Sequence, residues 1–355
     1  MFAKTIKIEG HTIGGKSLVF IIAEAGVNHN GDLNLAKKLV DEAKLIGASA
    51  IKFQSFTADR LVSKGTPKVT HHVDNKNPDE SHYDMIKKLE LSEEYQKQIF
   101  EYCADKKITF LSTPYGVESA RFLNKLGVTA FKTASADIVD IPLHEFIAST
   151  KKPAIIATGM ATYKEINDVL RIYKRHNNNK VILLHCVSSY PANKAGLNLR
   201  AMLELQKKFG TVIGYSDHSI GNTAAIASTA LGAKVIEKHF TIDKNLPGPD
   251  QKTSESPSEF RSLIESIHNT ELVLGNKKRG LQPEEISMYK FSRKSLIAAE
   301  NIPEGTKIKK EMLTLKRPGT GILYSKIHTI IGRIAKKNIT RDSLITYKHL
   351  AEYQK

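Results

Sequence analysis

The chain has 355 residues and a net charge of +16 with histidines neutral, and its 41% hydrophobic and 25% charged residues exclude wholesale disorder. No apolar stretch approaches the roughly 20 residues that a membrane span requires, and the first ten residues lack the apolar core of a signal peptide. Two cysteines, Cys103 and Cys186, are too few for a disulfide framework, so we expect a folded cytoplasmic protein.

Eight short apolar or β-branched runs alternate with longer segments of helical periodicity in the first 275 residues. The predicted strands are residues 20–25, 50–53, 109–112, 130–133, 154–157, 181–186, 211–214 and 235–237. The predicted helices are residues 33–46, 92–106, 117–126, 142–149, 163–175, 199–209, 223–231 and 257–274. Eight alternating units predict an α/β protein of the (β/α)8 or TIM-barrel class, with its site at the carboxyl ends of the strands. A doubly wound open sheet would show the same alternation.

Beyond residue 275 the pattern changes to short strands separated by Gly and Pro turns, and the charge becomes strongly basic. Residues 276–355 contain 18 Lys and Arg against 7 Asp and Glu, which is +11 of the total +16. A short helix is predicted to open at Pro283, and short strands at residues 296–299, 313–316, 327–331 and 344–346. We expect a barrel domain over 1–275, a linker over 276–290 and a small β-rich domain over 291–355. With few large apolar side chains, that domain should pack on another surface.

Polar side chains lie at the ends of the predicted strands. Lys52 and Gln54 are two residues apart, as are Glu237 and His239, so each pair points to one face of its strand. A single strand-end lysine is more often a surface group. Lys52 and Lys132 together, on strands of one barrel, would instead supply fixed positive charge for a phosphate or carboxylate.

Three histidines, His185, His218 and His239, end consecutive predicted strands. A lone histidine in such a position is more often a hydrogen-bonded core residue. His218 and His239 come from neighbouring strands, however, and are candidate ligands of one metal ion. Two imidazoles together with oxygen ligands and unfilled coordination positions are more typical of a manganese or iron site than of a four-coordinate structural zinc site. Cys186 is interpreted as a small buried hydrophobic residue.

An ordered set of motifs lies at residues 20–31, 51–54, 131–135, 157–160, 184–186, 214–218, 236–241 and 248–250. Together they resemble the motifs of the sialic acid synthases, which condense phosphoenolpyruvate with a hexosamine to make nine-carbon nonulosonic acids. Residues 291–296 and 316–322 resemble the C-terminal antifreeze-like (SAF, β-clip) domain of that family. The resemblance covers essentially the whole chain and implies a TIM barrel followed by a SAF domain.

The resemblance also implies a reaction and a set of site residues. An N-acetylmannosamine-type hexosamine, phosphoenolpyruvate and water would give a sialic acid and phosphate. His218 and His239 would bind a divalent metal ion, with Mn²⁺ as the first choice and Mg²⁺ or Co²⁺ as alternatives. The residues that would hold phosphoenolpyruvate are Lys52, Thr113, Lys132, Ser135 and Ser216. Those that would face the sugar or the reacting water are Glu24, Gln54, Asp137, Thr158, Ser188, Tyr190 and Asp250.

One role stays open within this scheme, that of the general base. Lys52 and Lys132 would offset the charge of phosphoenolpyruvate, and either Glu24 or Asp250 would be the general base. The resemblance further implies a domain-swapped homodimer, in which Arg317 reaches the N-acetyl group of the sugar in the other subunit. No nucleic-acid or membrane partner is expected.

Two departures from the commonest family pattern fall at sugar-facing positions. Ala136-Asp137 stands where a Gly-Glu pair is usual, and Val187-Ser188-Ser189 stands where many members carry Thr-Asn. The aspartate is shorter by one methylene, and the missing amide removes a hydrogen-bonding partner. An alternative substrate is therefore 2,4-diacetamido-6-deoxymannose, giving N,N'-diacetyllegionaminate, or the altrose isomer, giving pseudaminate. Residues 81–91 also resemble that branch.

Other functions compete with this assignment. The phosphoenolpyruvate aldol synthases of seven- and eight-carbon sugar acids use phosphorylated aldehydes and lack the C-terminal module. A nucleic-acid-binding protein would account for the basic tail, but no aromatic residues are interleaved with stretches such as residues 307–310. Ice binding is disfavoured because the antifreeze-like segment is rich in charge.

Overall fold

The computed structural model describes residues 1–68, 80–276 and 278–351. They form two compact units, Met1–Gly275 and a second unit that begins at Asn276. Within the described ranges, every helix is too short or too polar to cross a membrane.

The chain opens with an antiparallel hairpin of strands β1 (Thr5–Ile8) and β2 (His11–Gly14). The next eight strands form one parallel sheet. They are β3 (Phe20–Gly26), β4 (Ala50–Ser55), β5 (Thr109–Pro114), β6 (Phe131–Thr133), β7 (Ala154–Ala157), β8 (Val181–Cys186), β9 (Val212–Asp217) and β10 (Val235–His239). Their lateral order is β5–β4–β3–β10–β9–β8–β7–β6. The two edge strands, β5 and β6, lie side by side, so the sheet is a nearly closed barrel. The predicted (β/α)8 barrel is thereby confirmed.

Helices surround this sheet at positions close to those that the periodicity predicts. They are α1 (Leu33–Leu45), α2 (Ala58–Leu61), α3 (His82–Lys88), α4 (Glu93–Lys106), α5 (Val117–Leu126), α6 (Ile141–Ser149), α7 (Tyr163–Arg175), α8 (Ala201–Phe209), α9 (Thr223–Ala230) and α10 (Pro257–Leu274). Capping explains several boundaries, because Thr162 with Glu165 and Ser256 with Glu259 form capping boxes at α7 and α10. The short helices α2 and α3 were not predicted.

The hairpin closes the amino-terminal end of the barrel. Its apolar side chains Ile6, Ile8 and Ile13 are buried in one cluster with Phe20 and Ala50 at the starts of β3 and β4. Because this plug fills the lower barrel, polar inward-facing side chains are confined to the opposite end. The hairpin was missed from the sequence, although its alternating apolar and polar residues are typical of a strand.

The second unit has its own apolar core. Its helix α11 (Ile286–Ser292) follows a 3₁₀ turn at Pro283–Glu285, and strands β11 (Ser295–Ala298) and β12 (Leu313–Lys316) pair antiparallel. Contrary to the expectation of few apolar side chains, its core contains Leu296, Ala298, Ile302, Ile308, Ile322, Ile330, Ala335, Ile339, Ile345 and Leu350. The prediction of a strand over residues 327–331 is wrong, since Tyr324–Thr329 forms a 3₁₀ helix.

Candidate active site

A cavity of about 390 Å³ opens at the carboxyl ends of the barrel strands. Side chains that alternate inward along the strands line it, as the two-residue spacing predicts. Most of the predicted site residues meet there: Glu24, Lys52, Gln54, Thr113, Lys132, Ser135, Ser188, Tyr190, Ser216, His218, His239 and Asp250.

On one side of the cavity, Lys52 forms a buried ion pair with Glu24. The Lys52 Nζ lies 2.8 Å from Glu24 Oε2 and donates a hydrogen bond of 2.9 Å to Thr113 Oγ1. Burial lowers the pKa of Lys52, but the carboxylates of Glu237 and Glu24 outweigh it and the pKa is raised. Burial raises the pKa of Glu24, and Lys52 offsets only part of that effect. Both side chains are therefore fixed in place by each other.

Glu237 connects the two lysines of the cavity. Its Oε1 lies 3.4 Å from Lys132 Nζ and accepts a hydrogen bond of 3.1 Å from Ser216 Oγ, while its Oε2 lies 3.9 Å from Lys52 Nζ. Burial raises the pKa of Glu237, but Lys132 and Lys52 outweigh it, so the pKa is lowered and the side chain is a carboxylate. Glu237 was not predicted as a site residue, although its position two residues before His239 places it on the same face.

Each of the two lysines in the mouth has a carboxylate partner that the sequence did not predict. The sequence predicts only that Lys52 and Lys132 supply fixed positive charge for an anion. In the structure, Glu24 and Glu237 balance them when all four groups are ionised. Buried charges are tolerated only when they are paired, which explains why each lysine has a carboxylate partner. Burial also lowers the pKa of Lys132, and Glu237 restores only part of it.

The two candidate general bases reach the same point of the cavity, beside Gly26. Gly26 has φ +53°, and a Cβ there would lie 3.4 Å from Glu24 Oε1 and 3.7 Å from Asp250 Oδ2. A glycine is favoured both by this left-handed backbone and by the close approach of the two carboxyl groups. Burial raises the pKa of Asp250 to about 6, and the His218 imidazole opposes it.

His218 and His239 lie next to each other in the cavity, with ring centroids 5.6 Å apart. The Tyr190 ring lies 4.1 Å from His218, centroid to centroid. His218 Nδ1 donates to the Val187 carbonyl at 2.9 Å, which leaves Nε2 as the ring nitrogen available to a metal ion, as in many metal-binding histidines. The pair therefore fits a site with two protein ligands. Within the described ranges no group of three or more His, Cys, Asp and Glu side chains is arranged to hold a metal ion.

The third strand-end histidine, His185, does not belong to this site. It faces away from the barrel interior, where its Nε2 donates to the Leu197 carbonyl at 2.7 Å and its ring stacks on Tyr215 at 5.9 Å. His185 is a half-buried, hydrogen-bonded residue outside the cavity.

Two serines meet at Gly159, in the turn after β7. The Gly159 N–H donates to Ser135 Oγ at 3.0 Å. A Cβ on Gly159 would collide with Ser188 Oγ and lie 2.8 Å from Ser135 Oγ. The absence of a side chain at this position therefore allows two hydroxyl groups and a backbone N–H to occupy one region of the wall.

Two predicted substrate-binding residues of the barrel, Thr158 and Asp137, do not line the cavity. Thr158 donates its hydroxyl to the Leu184 carbonyl at 2.8 Å and is a structural residue. Asp137 lies in a 3₁₀ turn just past Ser135, where burial, reinforced by Asp140, raises its pKa to about 7. Arg317 is an exposed residue of the second unit.

One wall of the cavity is apolar, and the sequence pattern did not predict it. It consists of Val27, Phe56, Leu61, Val62, Ile86 and Leu89, mostly from α2, α3 and the residues beside them. Tyr115, whose pKa is raised well above its ordinary value by burial, also lines the cavity. The apolar residues at 85, 86 and 89 recur at helical spacing, which was the available signal for a buried face.

Fold and cavity together define a barrel enzyme with a small β-rich C-terminal unit and its polar side chains gathered at one barrel mouth. The chain belongs to the NeuB family, which matches residues 39–279, and a SAF domain matches residues 293–351. The resemblance of the motifs and of the C-terminal segment to the sialic acid synthase family is thereby confirmed.

Relatives match the chain over nearly its full length. The N,N'-diacetyllegionaminic acid synthase of Legionella pneumophila is 41% identical, covering 97% of this chain and 98% of the relative. The synthase of the same name from Campylobacter jejuni is 42% identical, covering 92% and 98%. Among solved structures, the N-acetylneuraminic acid (sialic acid) synthetase of Leptospira borgpetersenii, in complex with citrate, is 36% identical with a TM-score of 0.72, covering 81% and 95%.

Proposed function

We propose that the protein is a nonulosonic acid synthase that joins phosphoenolpyruvate to an open-chain amino hexose and releases phosphate. The observation that carries the proposal is the convergence of lysines, hydroxyls, carboxylates and two histidines on one cavity of a NeuB-family barrel. Such a cavity offers donors for a phosphate and a carboxylate and acceptors for sugar hydroxyls.

As the amino hexose we propose 2,4-diacetamido-6-deoxymannose, with N,N'-diacetyllegionaminate as the product. The apolar wall at Phe56, Leu61 and Ile86 suits a C6 methyl group and an additional acetyl methyl. The identity of 41–42% to two synthases named for that product supports the same choice. N-acetylmannosamine, whose C6 hydroxyl would lack a partner at such a wall, is the alternative substrate.

In the proposed reaction, the chain holds phosphoenolpyruvate so that its C3 meets the sugar aldehyde carbon. Lys132, Ser135 and Ser216 bind the anion, and Lys52 with Thr113 completes the contact. The C2=C3 π electrons form a C–C bond from C3 to the aldehyde carbon, the aldehyde C=O π bond breaks and its oxygen takes up a proton. Water then adds to the electron-deficient C2. Cleavage of the bond between C2 and the phosphate oxygen releases phosphate.

We assign the general base to Asp250. Glu24 is engaged in a 2.8 Å ion pair with Lys52, whereas Asp250 Oδ2 lies 3.9 Å from His239 Nδ1. Asp250 can therefore accept the proton of the attacking water without breaking a short ion pair. Glu24 keeps Lys52 in position.

We further propose that His218 and His239 bind a divalent cation, Mn²⁺ first among the candidates. When bound, such an ion polarises the sugar aldehyde as a Lewis acid. Chelation with EDTA should abolish turnover and Mn²⁺ should restore it. Turnover that persists after complete metal removal would contradict this part of the proposal.

A domain-swapped homodimer would complete the site, with Arg317 of the partner subunit at the N-acetyl group of the sugar. Arg317 is exposed within its own unit. Large apolar side chains of the same unit are exposed, including Leu281, Met288 and Phe291, as expected of residues that become covered in an assembly.

A phosphate-release assay over a panel of hexosamines tests the function. Turnover should be highest with the diacetamido sugar, lower with N-acetylmannosamine and lowest with a phosphorylated sugar. A preference for N-acetylmannosamine would overturn the sugar assignment alone. Failure to consume phosphoenolpyruvate with every aldehyde tested would overturn the synthase function.

A further inference from the structure

Behind the two cavity histidines lies a buried ion network that takes no part in the proposed chemistry. Lys238 stands between Glu237 and His239 on β10 and faces away from the barrel interior, with its side chain 1% exposed. Its Nζ lies 2.8 Å from Asp217 Oδ2, donates to the Ser219 carbonyl at 2.6 Å and lies 3.5 Å from Glu255 Oε1. An ammonium group buried this deeply needs such partners to be tolerated.

The first partner, Asp217, organises the turn that carries His218. Its Oδ1 accepts hydrogen bonds from the Ser219 N–H at 2.9 Å and the Ser219 hydroxyl at 2.7 Å. The Tyr215 hydroxyl donates to the same oxygen at 3.3 Å. Asp217 therefore holds the chain on both sides of His218, while its Oδ2 is held by Lys238.

The other carboxylate, Glu255, belongs to the segment that follows Asp250. The Glu255 N–H donates to the His239 carbonyl at 2.8 Å, and the Thr241 N–H donates to the Glu255 carbonyl at 3.0 Å. Lys238 thus connects three stretches of chain, which carry His218, His239 and Asp250.

We propose that Lys238 is a positioning residue that, with Asp217, sets the separation and orientation of the His218 and His239 imidazoles. Side chains alternate along a strand, so Lys238 and Asp217 face outward where Glu237, His239 and Ser216 face inward. Any shift of the end of β9 against the end of β10 would move the His218 imidazole relative to that of His239. Apolar residues would fill the same volume without the cost of desolvating charges, so the network's contribution lies in fixing geometry. The consequence for cation binding rests on the proposed function.

The test compares Lys238→Met with Lys244→Met. Lys244 also pairs with Glu255, at 3.7 Å, but it is 34% exposed and does not contact Asp217. Titration with Mn²⁺ should show about 10- to 100-fold weaker binding in Lys238→Met, as for other residues that orient metal ligands. Lys244→Met should bind as the wild type does. Lys238→Arg should recover part of the affinity, since it keeps the charge.

A second readout needs no metal. The imidazole nitrogen NMR signals of His218 and His239 should shift in Lys238→Met and not in Lys244→Met. Should the wild type bind no Mn²⁺, the proposed metal site fails while this readout still tests the positioning role. If Lys238→Met does not fold, Asp217→Asn provides the same two measurements, because it keeps the shape of the side chain. Unchanged Mn²⁺ affinity and unchanged imidazole signals in a folded variant would overturn the proposal.

Discussion

Lys132 and Glu237 face each other across the barrel, with Nζ 3.4 Å from Oε1, although their strands β6 and β10 lie on opposite sides of the sheet. Each side chain is almost completely buried. The pair therefore crosses the mouth where a substrate anion would have to enter. Its ionisation is set jointly by burial and by Lys52, which also lies near Glu237.

Single and double substitutions of this pair should separate its structural role from its catalytic role. Lys132→Met or Glu237→Gln alone leaves a buried charge without its partner, so each should lose about 3–5 kcal/mol of unfolding free energy. The double variant should recover most of that stability, because no unmatched charge remains from the pair. It should nevertheless stay inactive in the phosphate-release assay. Recovery of activity together with stability would show that the pair has only a structural role.

Gly159→Ala should weaken phosphoenolpyruvate binding. The added Cβ would collide with Ser188 and press on Ser135, so both hydroxyls must move. We expect KM for phosphoenolpyruvate to rise by about tenfold and stability to fall by about 1–3 kcal/mol, as for other overpacked sites. Gly196→Ala is the matched control, since a Cβ there meets nothing within 4 Å. Equal KM values for the two variants would argue against a role of this wall in binding the anion.

Ile86→Thr should reduce turnover of the diacetamido sugar. The substitution keeps the β-branched shape of a residue in the apolar wall but introduces a hydroxyl group. The ratio of kcat/KM for the diacetamido sugar over N-acetylmannosamine should fall by about tenfold, with KM for phosphoenolpyruvate unchanged. Met85→Leu, in the same apolar cluster but not on the cavity, should leave the ratio as it is. An unchanged ratio in Ile86→Thr would place the sugar elsewhere.

Mixing inactive subunits should reveal whether Arg317 acts across a dimer. Arg317→Ala subunits and Lys132→Met subunits should each be inactive alone. If Arg317 serves the partner's barrel, random dimers from equal amounts should regain about a quarter of wild-type activity, because half the dimers then hold one intact site. Analytical ultracentrifugation would confirm that dimers form. No recovery in a verified heterodimer would mean that Arg317 acts within its own chain or not at all.

The fold was largely predictable because burial imposes short-range patterns. Parallel strands that are covered on both faces consist of continuous apolar residues, as at residues 181–184. Helices that pack on the sheet carry apolar residues at a period of 3.6. The hairpin at residues 5–14 was not predicted, because its role as a plug depends on tertiary contacts with Phe20 and Ala50 at the starts of β3 and β4. A strand was predicted over residues 327–331 because β-branched residues, which are enriched in strands, are concentrated there, whereas Tyr324–Thr329 forms a 3₁₀ helix.

By itself the sequence determined which side chains share a face of each strand. Spacing of two residues places Lys52 with Gln54 and Glu237 with His239, because side chains alternate along a strand whatever its surroundings. Only the tertiary structure decided what those side chains face. That Lys132 meets Glu237 from the opposite strand, and that His185 turns outward to Leu197, follow from strand order and register around a closed sheet. Charge balance is a property of such distances, and no local pattern in the chain encodes it.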